Sequence, residues 1–88
     1  PAQFKVVPDA SDRATVVEVR AHDAPGLLRT IAHAISSVAV SIEAAQVATL
    51  GSDVVDVFYL ASDGEPLNST QAALVRTVVL DALADSDG

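Results

Sequence analysis

The chain predicts an α+β fold of ferredoxin-like type: a four-stranded antiparallel sheet with two helices on one face. Three observations predict it. Thr15 to Ala21 and Asp53 to Ala61 are β-branched, strand-like runs bounded by turn residues. Leu28, Ile31, Ala32, Ile35 and Val38 recur at helical spacing, as do Leu74, Val75, Val78 and Ala82. The order strand–strand–helix–strand–strand–helix then makes both helices cross one face of the sheet.

The elements follow in order. Phe4-Lys5-Val6-Val7 reads as a short strand, and Pro8 to Ala14 as a turn back to the strand at Thr15. A helix is expected from about Gly26 to Val38. Val40 to Leu50 reads as a long strand with a flaw: Val40 and Ile42 share one face, whereas Ala45 and Val47 fall on the other. A bulge near Glu43 to Ala45 is the simplest repair. Gly51-Ser52-Asp53 is a hairpin turn, Asp53 to Ala61 the next strand, and Asp63-Gly64-Glu65-Pro66 a second turn. Asn68-Ser69-Thr70-Gln71 has capping-box spacing, with Asn68 as N-cap and Leu67 placed to staple against Ala72. The last helix is expected to end near Leu83, with Leu74, Val75, Val78 and Ala82 inward and Asp85 to Gly88 frayed. The strand Val54 to Leu60 is apolar on both faces, broken only by Asp56. This predicts that another domain or subunit covers its second face.

Composition excludes several functions. The 88 residues make one small domain with net charge −7. Its five basic residues, Lys5, Arg13, Arg20, Arg29 and Arg76, form no stripe, and Phe4, Phe58 and Tyr59 are the only aromatics. A nucleic-acid surface needs clustered cations and stacking faces, and an anionic membrane repels this charge. With no cysteine there is neither a disulfide framework nor a thiolate metal site. His22-Asp23 is too sparse for a metal centre, since His33 is the only other histidine. His33 reads as a surface or helix-packing residue. Asn68-Ser69-Thr70 is a glycosylation sequon, but capping accounts for it better. No nucleophile–base pair, phosphate loop or carboxylate cluster stands out, so no catalytic residue is assigned. Pro1 in place of Met suggests an excised piece of a longer polypeptide.

The chemistry concentrates in His22-Asp23-Ala24-Pro25-Gly26-Leu27-Leu28, a tight strand-to-helix junction. Pro25 suits a first helical turn, and Gly26 lets a group approach the backbone. The first amides of the helix lack intrahelical partners and sit at its positive end, so they can hold a small carboxylate. Asp23 can take an ammonium or amide group. The alternative is a well-made helix start with Asp23 merely capping it.

Asp-x-Pro-Gly-Leu-Leu after a valine-rich strand resembles the effector loop of ACT domains, small modules that sense amino acids. Thr15 to Val19, Ala45 to Gly51 and Val55 to Tyr59 together resemble the C-terminal ACT domain of the bifunctional uridylyltransferase/uridylyl-removing enzymes, which modify and demodify the nitrogen-signalling protein PII. The resemblance covers about residues 3 to 84. It departs at Ala24, where the family usually carries Arg. It implies a single ferredoxin-like ACT sandwich, with the strand at Phe4 taking the edge that a last strand usually fills. It implies L-glutamine as effector, held by His22, Asp23, Ala24, Pro25, Gly26, Leu27 and Leu28, with Gln46, Val47 and Thr49 of a neighbouring strand. The alternative for that strand is an ordinary strand with no ligand contact. A second ACT domain, in cis or in a homodimer, would complete the site. The resemblance also implies a cytoplasmic parent enzyme acting on PII, with catalysis and its Mg²⁺ in other domains and no cofactor in this segment. The competing expectation is an ACT module that serves only assembly, which Ala24 favours.

Overall fold

In the computed structural model, the backbone of residues 2–87 and the side chains of residues 2–84 are described. β1 (Gln3–Val7) and β2 (Thr15–His22) form an antiparallel hairpin with Phe4 opposite Val19 and Val6 opposite Val17. α1 (Leu27–Ser36) follows, then β3 (Ser41–Leu50), β4 (Asp53–Ala61) and α2 (Ser69–Asp87). The sheet order is β1-β2-β4-β3, so β1 takes the edge beside β2, as the sequence predicts.

Strand parity explains the faces. Val54, Asp56, Phe58 and Leu60 of β4 are buried, whereas Val55, Val57 and Tyr59 on the other face are half-buried. In β3 the pairing shifts between Ile42 and Ala44, the bulge expected from the broken alternation. Ile42 pairs with Leu60 before it, and Ala45, Val47 and Thr49 pair with Phe58, Asp56 and Val54 after it. One extra residue therefore keeps both halves of the strand facing the helices.

The helices close that face. Ile31, Ala34 and Ile35 of α1 and Val75, Val79 and Leu83 of α2 join Phe4, Val17, Val19, Phe58 and Leu60 in one core. Burying each large aliphatic side chain contributes about 1.5–3 kcal/mol, before the cost of ordering the chain. The capping box is formed: the Gln71 N–H donates to Asn68 Oδ1 at 2.8 Å, and the Asn68 N–H to Gln71 Oε1 at 2.9 Å. Ser62 and Glu65 exchange backbone bonds of 2.8 and 3.0 Å around Asp63 and Gly64, both at positive φ, an I′-type turn.

Three expectations are corrected. Of the four residues expected inward on α2, Val75 is buried and Val78 and Ala82 pack half-buried against the core, but Leu74 is 47% exposed, and Val79 and Leu83 complete the buried set. With apolar residues all round α2, the choice of face rests on tertiary packing. The helix continues to Asp87, beyond Leu83, so the expected fraying from Asp85 gives way to helical backbone; Gly88 lies outside the described residues. Pro25 precedes α1 instead of opening it, because Pro25 and Gly26 are the centre of a separate turn.

Candidate functional site

The junction between β2 and α1 is built from two turns of backbone. The Leu27 N–H donates to the Ala24 carbonyl at 3.1 Å, and Gly26 sits at φ 74°, ψ 13°. Proline followed by a residue at positive φ within such a bond is a type II turn, and glycine enters that region without strain. The Asp23 N–H donates to the Ser52 carbonyl at 3.1 Å, which ties the loop to the β3–β4 turn.

α1 starts uncapped. Gly26 is its N-cap residue, no side chain bonds to its first amides, and its first turn carries no acidic residue. Asp23 lies three residues before the cap and does not perform that task, which removes the capping alternative. The Thr30 N–H reaches the Gly26 carbonyl at 2.9 Å, while the Leu28 and Arg29 amides have no backbone acceptor among the described residues. An uncapped helix start of this kind presents unpaired N–H donors and the positive end of the helix dipole, the chemistry that can receive an anion.

This helix start opens on a cleft of about 670 Å³. Its walls are Asp23, Ala24, Gly26, Leu27, Leu28 and Arg29 on one side and Val47, Thr49, Val54 and Asp56 on the other. The volume suits a small ligand. Leu28 and Val47, 43% and 54% exposed, give the cleft an apolar rim. A Cβ built at Gly26 would meet nothing within 4 Å, so the glycine leaves open space where a side chain would project.

The cleft gathers seven of the ten predicted residues: Asp23, Ala24, Gly26, Leu27, Leu28, Val47 and Thr49. Three stand elsewhere. His22 and Pro25 border a separate cavity of about 230 Å³ near Thr30 and Leu83. His22 Nδ1 also lies 3.1 Å from Asp53 Oδ1, and Arg20 Nε lies 3.0 Å from Asp53 Oδ2. Gln46 pairs with Val57 and so faces away from the helices, on the opposite side of the sheet from the cleft. A further groove of about 500 Å³ between α1 and α2 holds none of the predicted residues.

Three residues of the cleft were missed, Arg29, Val54 and Asp56, and two of them carry charge. Arg29 is the only cation among its lining residues, and it supplies positive charge that Ala24 does not. Asp56 is the larger omission. It is fully buried, and neither carboxylate oxygen has a hydrogen-bond partner. Burial, and secondarily the negative charge of Asp23, push its carboxyl above the usual carboxylate range. The available signal was its break in the inward apolar set of β4; that it has no partner depends on the tertiary structure. Among the described residues, no group of three metal-ligating side chains comes together, and no helix is long and apolar enough to cross a membrane.

No family profile matches the chain. Among curated proteins, it is 46% identical over 76 residues to a bifunctional uridylyltransferase/uridylyl-removing enzyme of Streptomyces coelicolor, covering 85% of the chain and 9% of that protein. A protein of the same description from Rhodopseudomonas palustris is 38% identical over 79 residues, covering 88% of the chain and 8% of the relative. One from Gluconobacter oxydans is 49% identical over 51 residues, covering 58% of the chain and 5% of the relative. The chain thus spans less than a tenth of the length of these relatives. Among solved structures, an unknown protein from Galdieria sulphuraria matches with a TM-score of 0.64 over 83% of this chain and 40% of its own. At 19% identity, that likeness concerns the fold alone. In sequence and in fold, this chain is an ACT-type domain related to the C-terminal ACT domain of the bifunctional uridylyltransferase/uridylyl-removing enzymes.

Proposed function

We propose that the chain is a regulatory amino-acid sensor, with L-glutamine as effector, in an enzyme that uridylylates and deuridylylates the PII protein. The observation that carries this reading is the uncapped start of α1 opening on a ligand-sized cleft. The amides of Leu28 and Arg29, reinforced by the Arg29 charge, take the ligand α-carboxylate. Asp23 offers an acceptor to the ligand's nitrogen, and the rim of Leu28 and Val47 takes its aliphatic stem. Binding biases the parent between its two activities only by the difference in ligand affinity between their conformations. Catalysis, and any Mg²⁺ it uses, belong to other parts of such a parent, which works in the cytoplasm.

An assembly module is the second reading. β3 lies at the sheet edge, and every residue in it except Ile42 is exposed, an edge open to pairing with another ACT domain. The two readings separate in one experiment. The labelled chain is titrated with L-glutamine by NMR, with L-glutamate and D-glutamine as controls, alongside Gly26→Val. Selective shifts at residues 23–28, lost in Gly26→Val at an unchanged oligomeric state, are the expected result. The same oligomer with no response to glutamine in either protein identifies assembly alone.

A further inference from the structure

Asp56 has no structural reason to be acidic. Its inward neighbours along β4 are Val54 and Phe58, and its cross-strand partners are Val19 and Val47. A valine would continue that surface without leaving two carboxylate oxygens unpartnered. Buried polar groups in folded proteins are paired with few exceptions, and an ionised carboxylate without a partner is among the most costly. The exception here lines the cleft, opposite the uncapped end of α1.

We propose that Asp56 is the counter-ion for the ligand's ammonium group, so that an α-amino acid lies across the cleft with its carboxylate on the α1 amides and its ammonium on Asp56. This rests on the reading of the cleft as an amino-acid site and deepens it. Two acidic residues line the cleft, and burial decides between them. Asp23 is exposed, and water already solvates its charge. Asp56 is sealed from water and gains most from a cation. A cation there also relieves the repulsion between the two carboxylates. Asp23 is then left for the ligand's side-chain amide. Arg29, the only cation among the lining residues, forms no ion pair with either acid, so the acidic side of the cleft is open to a ligand. The assignment also gives selectivity: the site requires an amine and rejects the same molecule without one.

The test uses calorimetric titration of the 88-residue chain and of Asp56→Asn. The ligands are L-glutamine and glutaramic acid, which is glutamine with hydrogen in place of its amino group. The wild-type chain should bind L-glutamine at least about tenfold more tightly than glutaramic acid, the scale of a hydrogen bond to a charged group. In Asp56→Asn that preference should fall to within about twofold of unity, with the affinity for glutaramic acid nearly unchanged. A purely structural role for Asp56 would weaken both ligands alike. Equal binding of the two ligands by the wild-type chain overturns the proposal, as does a full preference retained in the variant. Should Asp56→Asn not fold, Asp23→Asn decides in its place: an amine preference retained there leaves Asp56 as the acceptor, and one lost there overturns the proposal. If another of the twenty L-amino acids binds with this dependence and glutamine does not, the counter-ion stands and glutamine falls. If none binds, both readings fall.

Discussion

At the scale of single residues, Asp56 sets a conflict between stability and binding. Its folded-state pKa is raised, by burial first and by Asp23 second. Below the unfolded carboxyl range, near pH 4, the group is neutral in both states and costs no ionisation. As pH rises, the unfolded chain ionises first, so stability falls until the folded pKa is passed and then stays lowered. Asp56→Asn, neutral throughout, should therefore gain in stability relative to wild type as pH rises from about 3.5 to about 7. Urea unfolding at the two pH values measures it, and an equal difference at both would refute the account. A residue that lowers stability in the empty domain is the kind of position that sequence patterning alone misjudges. Asp56 was visible as a polar break in an apolar strand, but its isolation depends on Val19 and Val47 of two other strands.

At the scale of elements, legibility followed how local the signal was. The bulge in β3 could be read because apolar parity changes within a few residues of one strand. The start of α2 could be read because Asn68 and Gln71 satisfy each other's amides three residues apart. Removing that reciprocity should cost about 1 kcal/mol in Asn68→Ala. Asn68→Ala and Gln71→Ala combined should cost less than their sum, because each breaks a shared motif; the three urea midpoints test this. The inward face of α2 was legible only in part: Val75, Val78 and Ala82 pack inward, but neighbouring apolar residues offer several stripes, and only the sheet beneath turns Leu74 out and Val79 in. α1 shows the opposite case. Its loop was recognised at once, but its lack of a cap shows only when Gly26, rather than Asp23, is seen to occupy the N-cap position.

For the whole molecule, the fold was legible and the site only in part. Alternation and helical spacing dictate which faces are apolar, and six elements with few apolar faces leave little choice of topology. The cleft is different, because it joins residues 23–29, the loop and start of α1, to residues of β3 and β4. Chain order placed Gln46 beside Val47, but strand parity sends them to opposite sides. A ligand that fills this cleft binds only the folded state. L-Glutamine at about 100 times its Kd should therefore stabilise the domain by about 2.7 kcal/mol, raising Tm by several degrees. A thermal scan with D-glutamine as control reads it, and equal shifts from both enantiomers would count against a stereospecific site.

The hydrogen bond from Asp23 N–H to the Ser52 carbonyl carries a last consequence. It is the one backbone bond that fastens the loop to the β3–β4 hairpin among the described residues, in a stretch whose side chains from His22 to Gly26 are exposed. Asp56 lines the same cleft, buried at its floor. The hydrogen-exchange rate of the Asp23 amide should therefore report how firmly the loop is held to that turn. Through this bond the hairpin tip at Gly51-Ser52, far in sequence from the loop, is joined directly to the candidate site.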